Sequence, residues 1–272
     1  DLTPRHDVTS EDIQAKLNSF KPDLCEKLEQ RSDEWLRARK HRITGSKFGT
    51  AAGHCKYQSP AGCVREMLWN TFKGNDGNCS SCVSKPRTYS EAIAATAWGT
   101  AKEPVAIEAY TQFLRNKRKS EGFENVDGHV FVEESGLTIR KLKPWFGASP
   151  DGIVHDVQWD EHGKQTSVLG LLEIKCPYSR RFKDAEQRFY PDIIPQHYYD
   201  QIMGLMGIFT ENAERPLLWA DFCVWNETGF QVSRFPFDRV YWEELDQLLN
   251  DFYMRQFLPA LILKERGLLQ PG

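Results

Sequence analysis

Three polar side chains in the middle of the sequence have types and a spacing that suit metal-dependent chemistry. Asp151 follows a proline in a tight turn, and Glu173 and Lys175 stand two residues apart in the apolar stretch VLGLLEIKCPY. Because side chains alternate faces along a strand, Glu173 and Lys175 point the same way while Ile174 points into the core. An acid and a lysine on a buried strand face are costly unless they are paired.

A divalent cation bound between the carboxylates of Asp151 and Glu173 would explain why they lie together. Two carboxylates about 4 Å apart repel each other by about 4 kcal/mol at an effective dielectric constant near 20, and a cation between them removes that cost. Oxygen ligands favour Mg²⁺, for which Mn²⁺ can substitute. Lys175 would then orient or deprotonate an attacking water and offset charge on a phosphate. The alternative is a surface strand with a cross-strand ion pair, which an isolated Glu-x-Lys pattern favours.

Asp151 after a proline, followed by Glu173-Ile174-Lys175, resembles the PD-(D/E)xK nuclease pattern. Further stretches resemble, in order and spacing, the YqaJ-like, lambda-exonuclease-type recombination nucleases: WLRARKHRITGSKFG, AWGTAKEPVAIEAY, FGASPDGIV, LLEIKCPYS and HYYDQIMGLMGIF. The closing YWEELDQLLNDFYMRQFLPAL resembles the C-terminal helix of eukaryotic and viral members. The resemblance spans about residues 32 to 262.

The resemblance implies a set of catalytic and metal-binding residues. The metal ion would be held by three carboxylates and one backbone carbonyl, those of Glu103, Asp151, Glu173 and Ile174. Lys175 would be the catalytic lysine. Gln201 would place the scissile phosphate or the attacking water, and Tyr198, one helical turn earlier, would contact the DNA from the same side of the helix.

The resemblance also implies a site for a 5′-terminal phosphate at Arg39 and Ser46, where an arginine fork and a capped helix N-terminus suit an anion. Several of these residues have a purely structural alternative. Thr100-x-x-Glu103 is also a capping box, and Gln201 flanks an apolar helix stripe. Taken alone, Arg39 is a solvated arginine and Ser46 a helix cap.

The composition sets limits on the function. The 272 residues are 40% apolar and carry a formal net charge of −3, so the overall charge does not indicate nucleic acid. Basic residues cluster in RSDEWLRARKHR and LRNKRK, which suits either phosphate binding or two solvated helix faces. Seven cysteines in a chain of this length favour reduced thiols in a cytosolic or nuclear compartment. No apolar run reaches the roughly 18 residues of a membrane span, so we expect no membrane partner.

The elements that must hold these residues follow from hydrophobic periodicity and turn residues. The first part of the chain predicts helices, over TSEDIQAKLNSF, residues 22–31, SDEWLRARKHR, CVREMLWNTF and AWGTAKEPVAIEAYTQFLRNK. After Lys119 the pattern predicts strands joined by turns, over HVFVEESGLTI, FGASPDGIVHDV and VLGLLEIKCPY, with EHGKQ as a hairpin turn. We then expect a helix entered near Pro195, a strand pair over PLLWADFCVWN and GFQVSRFPF, and a closing helix over YWEELDQLLNDFYMRQFLPALILKE.

This order of elements predicts an α/β domain. The resemblance makes it a PD-(D/E)xK nuclease fold, with a central mixed β-sheet flanked by helices, extra N-terminal helices and a C-terminal helix. We interpret residues 1–272 as a single nuclease domain, with 1–31 as an N-terminal helical extension and 74–90 as a loop insertion. Cys79-x-x-Cys82 in that loop invites zinc, but its spacing to the remaining candidate ligands is irregular, namely to Cys55, Cys63 and His54.

The sequence therefore predicts a Mg²⁺-dependent DNA exonuclease that hydrolyses phosphodiester bonds. The resemblance implies digestion from the 5′ end, with a preference for 5′-phosphorylated ends, and a homo-oligomer, because lambda-type members form ring trimers. Two alternatives stay open at this point. One is an endonuclease on the same fold, and the other is a DNA-binding module without catalytic activity.

Overall fold

The computed structural model describes residues 8–20, 28–69, 89–180, 194–212 and 217–271. Its helices there are α1 Ser10–Asn18, α2 Asp33–Arg39, α3 Gly45–Ala51, α4 Pro60–Trp69, α5 Tyr89–Ser120, α6 Val126–His129, α7 Gln196–Asn212, α8 Arg239–Phe252 and α9 Leu258–Glu265. Its strands are β1 Ile43–Thr44, β2 Phe131–Glu133, β3 Thr138–Ile139, β4 Phe146–Ala148, β5 Gly152–Trp159, β6 Gln165–Lys175, β7 Trp219–Asn226 and β8 Gly229–Pro236.

The strands form a central sheet and a small second one. The central sheet has the order β2-β5-β6-β7-β8, in which β6 and β7 are parallel and the other neighbours are antiparallel. The small sheet has the order β1-β4-β3. The prediction of a mixed sheet flanked by helices is therefore confirmed, with β6 in the middle of the central sheet.

Helices cover both faces of the central sheet, and each face has its own core. On one side Leu172 and Ile174 of β6 pack in a cluster with Tyr110 of α5. On the other side Leu171 of β6 packs in a cluster with Ile202 of α7 and with residues of α3, α4 and α8. Because side chains alternate along β6, Glu173 shares the α7 side with Leu171. The expected inward orientation of Ile174 is confirmed.

Two sequence predictions around α5 are wrong. The helix begins at Tyr89, so Thr100 lies in its middle and the Thr100-x-x-Glu103 capping box does not exist. Pro104 also lies inside this helix. Residues 89 and 90 of the predicted loop insertion also belong to this helix, while 74–88, including Cys79-x-x-Cys82 and its candidate zinc site, lie outside the described residues.

Helices lie near both ends of the described chain, and their bounds differ in places from those predicted. Thr9 caps α1 in a capping box with Asp12, as its sequence predicts. The predicted helix over 22–31 is wrong for residues 28–31, which form a turn, and its residues 22–27 lie outside the described residues. The closing helix runs from α8 to α9 through a π-helical segment, Tyr253–Phe257. Pro259 explains that widening, since it lacks the N–H that an α-helix would use there.

Two further observations bear on the composition. In the described ranges, no helix combines the length and the apolar character needed to cross a membrane. The cysteines that the structure describes are free thiols, namely Cys55, Cys63, Cys176 and Cys223.

The contact between α3 and α7 depends on a glycine, and we expect its substitution to destabilise the fold. A Cβ atom at Gly49 would lie 2.5 Å from the backbone Cα of His197 and 3.0 Å from Oδ2 of Asp200. Because the backbone of His197 cannot move without disturbing α7, Gly49→Ala should lower the free energy of unfolding by about 1–3 kcal/mol. Urea denaturation measures this loss.

Gly99→Ala is the matched control, because a Cβ atom there meets nothing within 4 Å and alanine is the better helix former. We expect it to leave stability unchanged or to raise it by up to about 1 kcal/mol. Equal stability of the two variants would contradict the close approach of α3 to α7.

Candidate active site

Glu173 stands at the centre of a buried polar cluster near the end of β6. Its side chain is 2% exposed, and its Oε1 atom accepts a hydrogen bond from Nε2 of Gln201 at 2.6 Å. The same oxygen accepts from Nζ of Lys175. The expectation that Glu173 and Lys175 share a strand face is confirmed. Gln201 completes the cluster from α7, which packs on that face of the sheet.

Asp151 reaches this cluster from the turn between β4 and β5. The antiparallel pairing of β5 with β6 places Gly152 opposite Leu172, so Asp151 stands at the level of Glu173. Its Oδ2 atom accepts a hydrogen bond from the backbone N–H of Ile174 at 2.6 Å. The turn needs glycine after the acid, because a Cβ atom at Gly152 would lie 2.3 Å from Cγ1 of Val132.

The carboxylates of Asp151 and Glu173 have too few hydrogen bonds and too little positive charge around them to offset their burial. Burial, followed by the neighbouring Glu173 carboxylate, raises the pKa of Asp151 from 3.8 to about 7. Oε2 of Glu173 is buried and has no hydrogen-bond partner. Of the described buried side-chain oxygens without a partner, it is the one that belongs to a carboxylate.

The charge of Lys175 is set by a competition. Burial acts to lower the pKa of its ammonium group, but the carboxylates of Glu173 and Asp151 outweigh burial and raise that pKa. Lys175 is therefore protonated in this arrangement. Its Nζ atom lies 5.3 Å from the ring centroid of Tyr198, so the predicted DNA-contacting tyrosine faces the same cluster.

Glu103 approaches the cluster from α5, on a half-buried site. Burial and the Asp151 carboxylate raise its pKa, which places it within electrostatic reach of Asp151. Its Oε2 atom is held by Nη2 of Arg31 at 2.6 Å. We did not single out Arg31 from the sequence, and its pairing with an acid 72 positions away leaves no local signal.

The residues predicted to bind a phosphate lie on α2 and α3. The Arg39 guanidinium stacks over the Trp35 ring at 4.0 Å, and its Nη2 atom donates to Oγ1 of Thr44 at 2.8 Å. Burial lowers the pKa of Arg39 to about 10, while the Glu173 carboxylate opposes that shift. Ser46 is exposed on α3 but is not its cap, since the cap is Thr44, whose side chain makes no capping hydrogen bond.

The donors of the cluster fit a hard divalent cation. Asp151 lies within electrostatic reach of both Glu103 and Glu173, Glu173 has a buried oxygen without a partner, and oxygen ligands are those that Mg²⁺ prefers. As the side chains stand, no three His, Cys, Asp or Glu residues of the described chain surround a common metal position. Instead the three acids are engaged separately: Glu103 with Arg31, Asp151 with the Ile174 N–H, and Glu173 with Lys175 and Gln201.

Comparisons with known proteins agree with this fold. The sequence model of the YqaJ-like viral recombinase domain family matches residues 34–213. No curated protein sequence matches the chain. The crystal structure of an alkaline exonuclease (LHK-Exo) from Laribacter hongkongensis is 22% identical, with a TM-score of 0.55 over 87% of this chain and 98% of that chain. Its complex with dAMP is also 22% identical, with a TM-score of 0.56 over 88% of this chain and 100% of that chain.

The structural likeness confirms the predicted fold class, a mixed α/β fold of the PD-(D/E)xK type. The individual site residues stay predictions: the geometry brings together Glu103, Asp151, Glu173, Lys175, Gln201 and Tyr198, with Arg39 within electrostatic reach. The position of the Ile174 carbonyl as a metal ligand also stays a prediction.

The raised pKa of Asp151 predicts a pH-dependent stability when divalent cations are chelated. Between its ordinary value of 3.8 and its folded value of about 7, the folded protein binds more protons than the unfolded chain. The contribution of Asp151 to the free energy of unfolding is therefore most favourable below about pH 4, and it is lost as pH rises through about 7. Asp151→Asn keeps an acceptor for the Ile174 N–H but cannot ionise, so it should be the more stable protein at pH 8.

We expect a gain on the order of 4 kcal/mol at pH 8, since the pKa of Asp151 rises from 3.8 to about 7 and one pKa unit corresponds to about 1.4 kcal/mol. The gain should shrink as pH falls towards 4, and urea denaturation in a chelating buffer measures it. A gain that does not change with pH would show that Asp151 titrates normally.

Proposed function

Since this chain belongs to the YqaJ-like viral recombinase domain family, we propose that it is a metal-dependent DNA exonuclease. It hydrolyses phosphodiester bonds and digests one strand from the 5′ end, with a preference for 5′-phosphorylated ends. A structural neighbour is an alkaline exonuclease and binds dAMP, a deoxynucleoside monophosphate, which supports this assignment.

The observation that carries the proposal is the convergence on Glu173. A central strand, a turn and α7 bring a carboxylate pair, a protonated lysine and a glutamine into contact in a buried cluster. Burying two carboxylates together is unfavourable, so a fold that does it without matching each with an arginine leaves a site suited to a cation. Glu103, Asp151 and Glu173 would hold that cation, with the Ile174 carbonyl as a further ligand.

The protein side chains prepare the hydrolysis. Once bound, a divalent cation would activate the attacking water and stabilise the charge on the leaving oxygen. With the charges of Glu173 and Asp151 offset, burial would lower the pKa of Lys175, and its neutral amine would be able to accept a proton from the attacking water. Gln201 keeps its hydrogen bond to Glu173 and orients the carboxylate, while Tyr198 flanks the lysine.

The preference for a 5′-phosphorylated end rests on Arg39. Its guanidinium is held in one orientation by the Trp35 ring and the Thr44 hydroxyl, which leaves its remaining N–H groups for an anion. Ser46 is exposed on α3, and its hydroxyl would be a second donor to the phosphate. The ring trimer implied by the family stays a prediction about the assembled protein.

We expect the cluster to be essential for cleavage. Glu173→Gln and Lys175→Met should each lower the rate on linear DNA in Mg²⁺ by roughly 10²–10⁴-fold, because each removes a group at the reacting phosphate while keeping side-chain size. Release of acid-soluble nucleotides from end-labelled DNA measures this loss.

The matched control is Glu108→Gln on the exposed side of α5, where the carboxylate only accepts a hydrogen bond from Gln112. It should cleave like the unaltered protein. Normal cleavage by Glu173→Gln would refute the site. Cleavage of a closed circular DNA would favour the endonuclease alternative, and binding without any cleavage would favour the non-catalytic one.

The 5′-phosphate role of Arg39 predicts a loss that depends on the DNA end. Arg39→Ala should slow digestion of 5′-phosphorylated ends by roughly tenfold, the value of one charge-assisted contact, and leave 5′-hydroxyl ends almost unaffected. The ratio of the two rates in one protein sample cancels any difference in folded fraction. An equal loss on both ends would argue against this role, and Arg37→Ala, on the exposed side of α2, is the control.

A further inference from the structure

Arg31 is placed at the mouth of the acidic cluster without being one of the residues that the proposed function needs. Its Nη2 atom lies 2.6 Å from Oε2 of Glu103, and its side chain is 47% exposed, against 19% for Glu103. The guanidinium therefore has one end on a proposed metal ligand and the other in solvent.

The chain holds Arg31 there through its neighbours. Nε2 of Gln30 donates to the backbone carbonyls of Ser135, at 2.7 Å, and of Pro150, at 2.9 Å. On the other side Ser32 caps α2 by accepting from the backbone N–H of Trp35. Between these anchors Arg31 has φ 70°, a left-handed backbone conformation that non-glycine residues avoid. Such a conformation persists only where the surroundings impose it.

The charges explain why an arginine at this position must be able to move. Burial raises the pKa of both Glu103 and Asp151, and the Arg31 guanidinium opposes that effect in both. It serves as a counter-charge for the acids while no cation is present. A divalent cation among the same carboxylates would repel the guanidinium, so the cation and Arg31 compete for Glu103.

The solvent-facing side offers the displaced guanidinium a new partner. DNA entering the cluster brings phosphates to the same mouth, and the planar guanidinium binds phosphate through two parallel hydrogen bonds. Because its backbone is anchored, the Arg31 side chain stays within reach of both Glu103 and a DNA phosphate.

We propose that Arg31 is a switching residue that holds Glu103 in the metal-free protein and transfers its guanidinium to a phosphate of the bound DNA when a divalent cation takes up Glu103. This inference rests on the proposed function and adds to it a coupling between metal loading and substrate binding. Removing the arginine therefore has two opposite effects: the cation binds more tightly to the DNA-free protein, and the DNA binds more weakly.

The test uses Arg31→Gly, because glycine fits the left-handed backbone and removes the guanidinium without adding strain. Mn²⁺ binding to the DNA-free protein is measured by isothermal titration calorimetry. Binding of a 5′-phosphorylated duplex in Ca²⁺ is measured by fluorescence anisotropy. Arg31→Gly should bind Mn²⁺ about fivefold more tightly, since an ion pair no longer competes. It should bind the duplex roughly tenfold more weakly.

Two further variants separate charge from shape. Arg31→Lys keeps the positive charge but loses the fork, so its Mn²⁺ affinity should stay near that of the unaltered protein while its DNA affinity falls. Arg37→Ala is the matched control, because that arginine lies on the neighbouring helix α2, is 70% exposed and pairs with Glu34 of the same helix. It should change neither affinity of the protein by as much as twofold.

The outcomes distinguish this inference from the function on which it rests. Unchanged Mn²⁺ and DNA affinities in Arg31→Gly, with a lower melting temperature, would make the contact a structural ion pair and overturn the inference alone. Tighter Mn²⁺ binding with unchanged DNA binding would overturn the transfer to phosphate. An unaltered protein that binds no Mn²⁺ would overturn the proposed function, and the inference with it.

Discussion

The structure depends on a pair of carboxylates, Asp151 and Glu173, whose charge one lysine only partly neutralises. Glu173 lies on the central strand of a sheet covered on both faces, and its Oε2 atom is buried without a hydrogen-bond partner. Asp151 stands beside it with a pKa raised to about 7 by burial and by that same carboxylate. Such an arrangement is unfavourable for folding, so its retention indicates a function that requires it.

Two other buried carboxylates, Asp156 and Asp221, are each paired with an arginine. Asp156 receives two hydrogen bonds from the Arg118 guanidinium, at 2.8 and 2.6 Å. Asp221 receives two from Arg234, at 2.8 and 2.7 Å, and another from the Tyr110 hydroxyl at 2.6 Å. Each of these acids faces a forked arginine that matches its charge and geometry. Glu173 instead shares one oxygen between a lysine and a glutamine and leaves its other oxygen without a hydrogen-bond partner.

The remainder of the fold positions this cluster through close backbone contacts. Gly49 lets α3 approach the first turn of α7, which fixes the helix that carries Tyr198 and Gln201. Gly152 lets β5 start directly after Asp151, and Gln30 ties the preceding residue, Pro150, to the N-terminal segment. The same segment supplies Arg31. The contact of Gln30 with Pro150 therefore holds both the turn that carries Asp151 and the arginine that offsets its charge.

Period-two alternation determined from the sequence that Glu173 and Lys175 share a face of β6, and the neighbouring proline and glycine placed Asp151 in a turn. The family motifs added Glu103, Gln201 and Tyr198 and predicted the fold class. Only the tertiary structure decided that Thr100-x-x-Glu103 lies inside a helix, that Thr44 rather than Ser46 is the N-cap of α3, and that Arg31 holds Glu103. Periodicity reports which face of an element is buried, whereas ion pairs between distant segments and the extent of a helix depend on packing that no local pattern records.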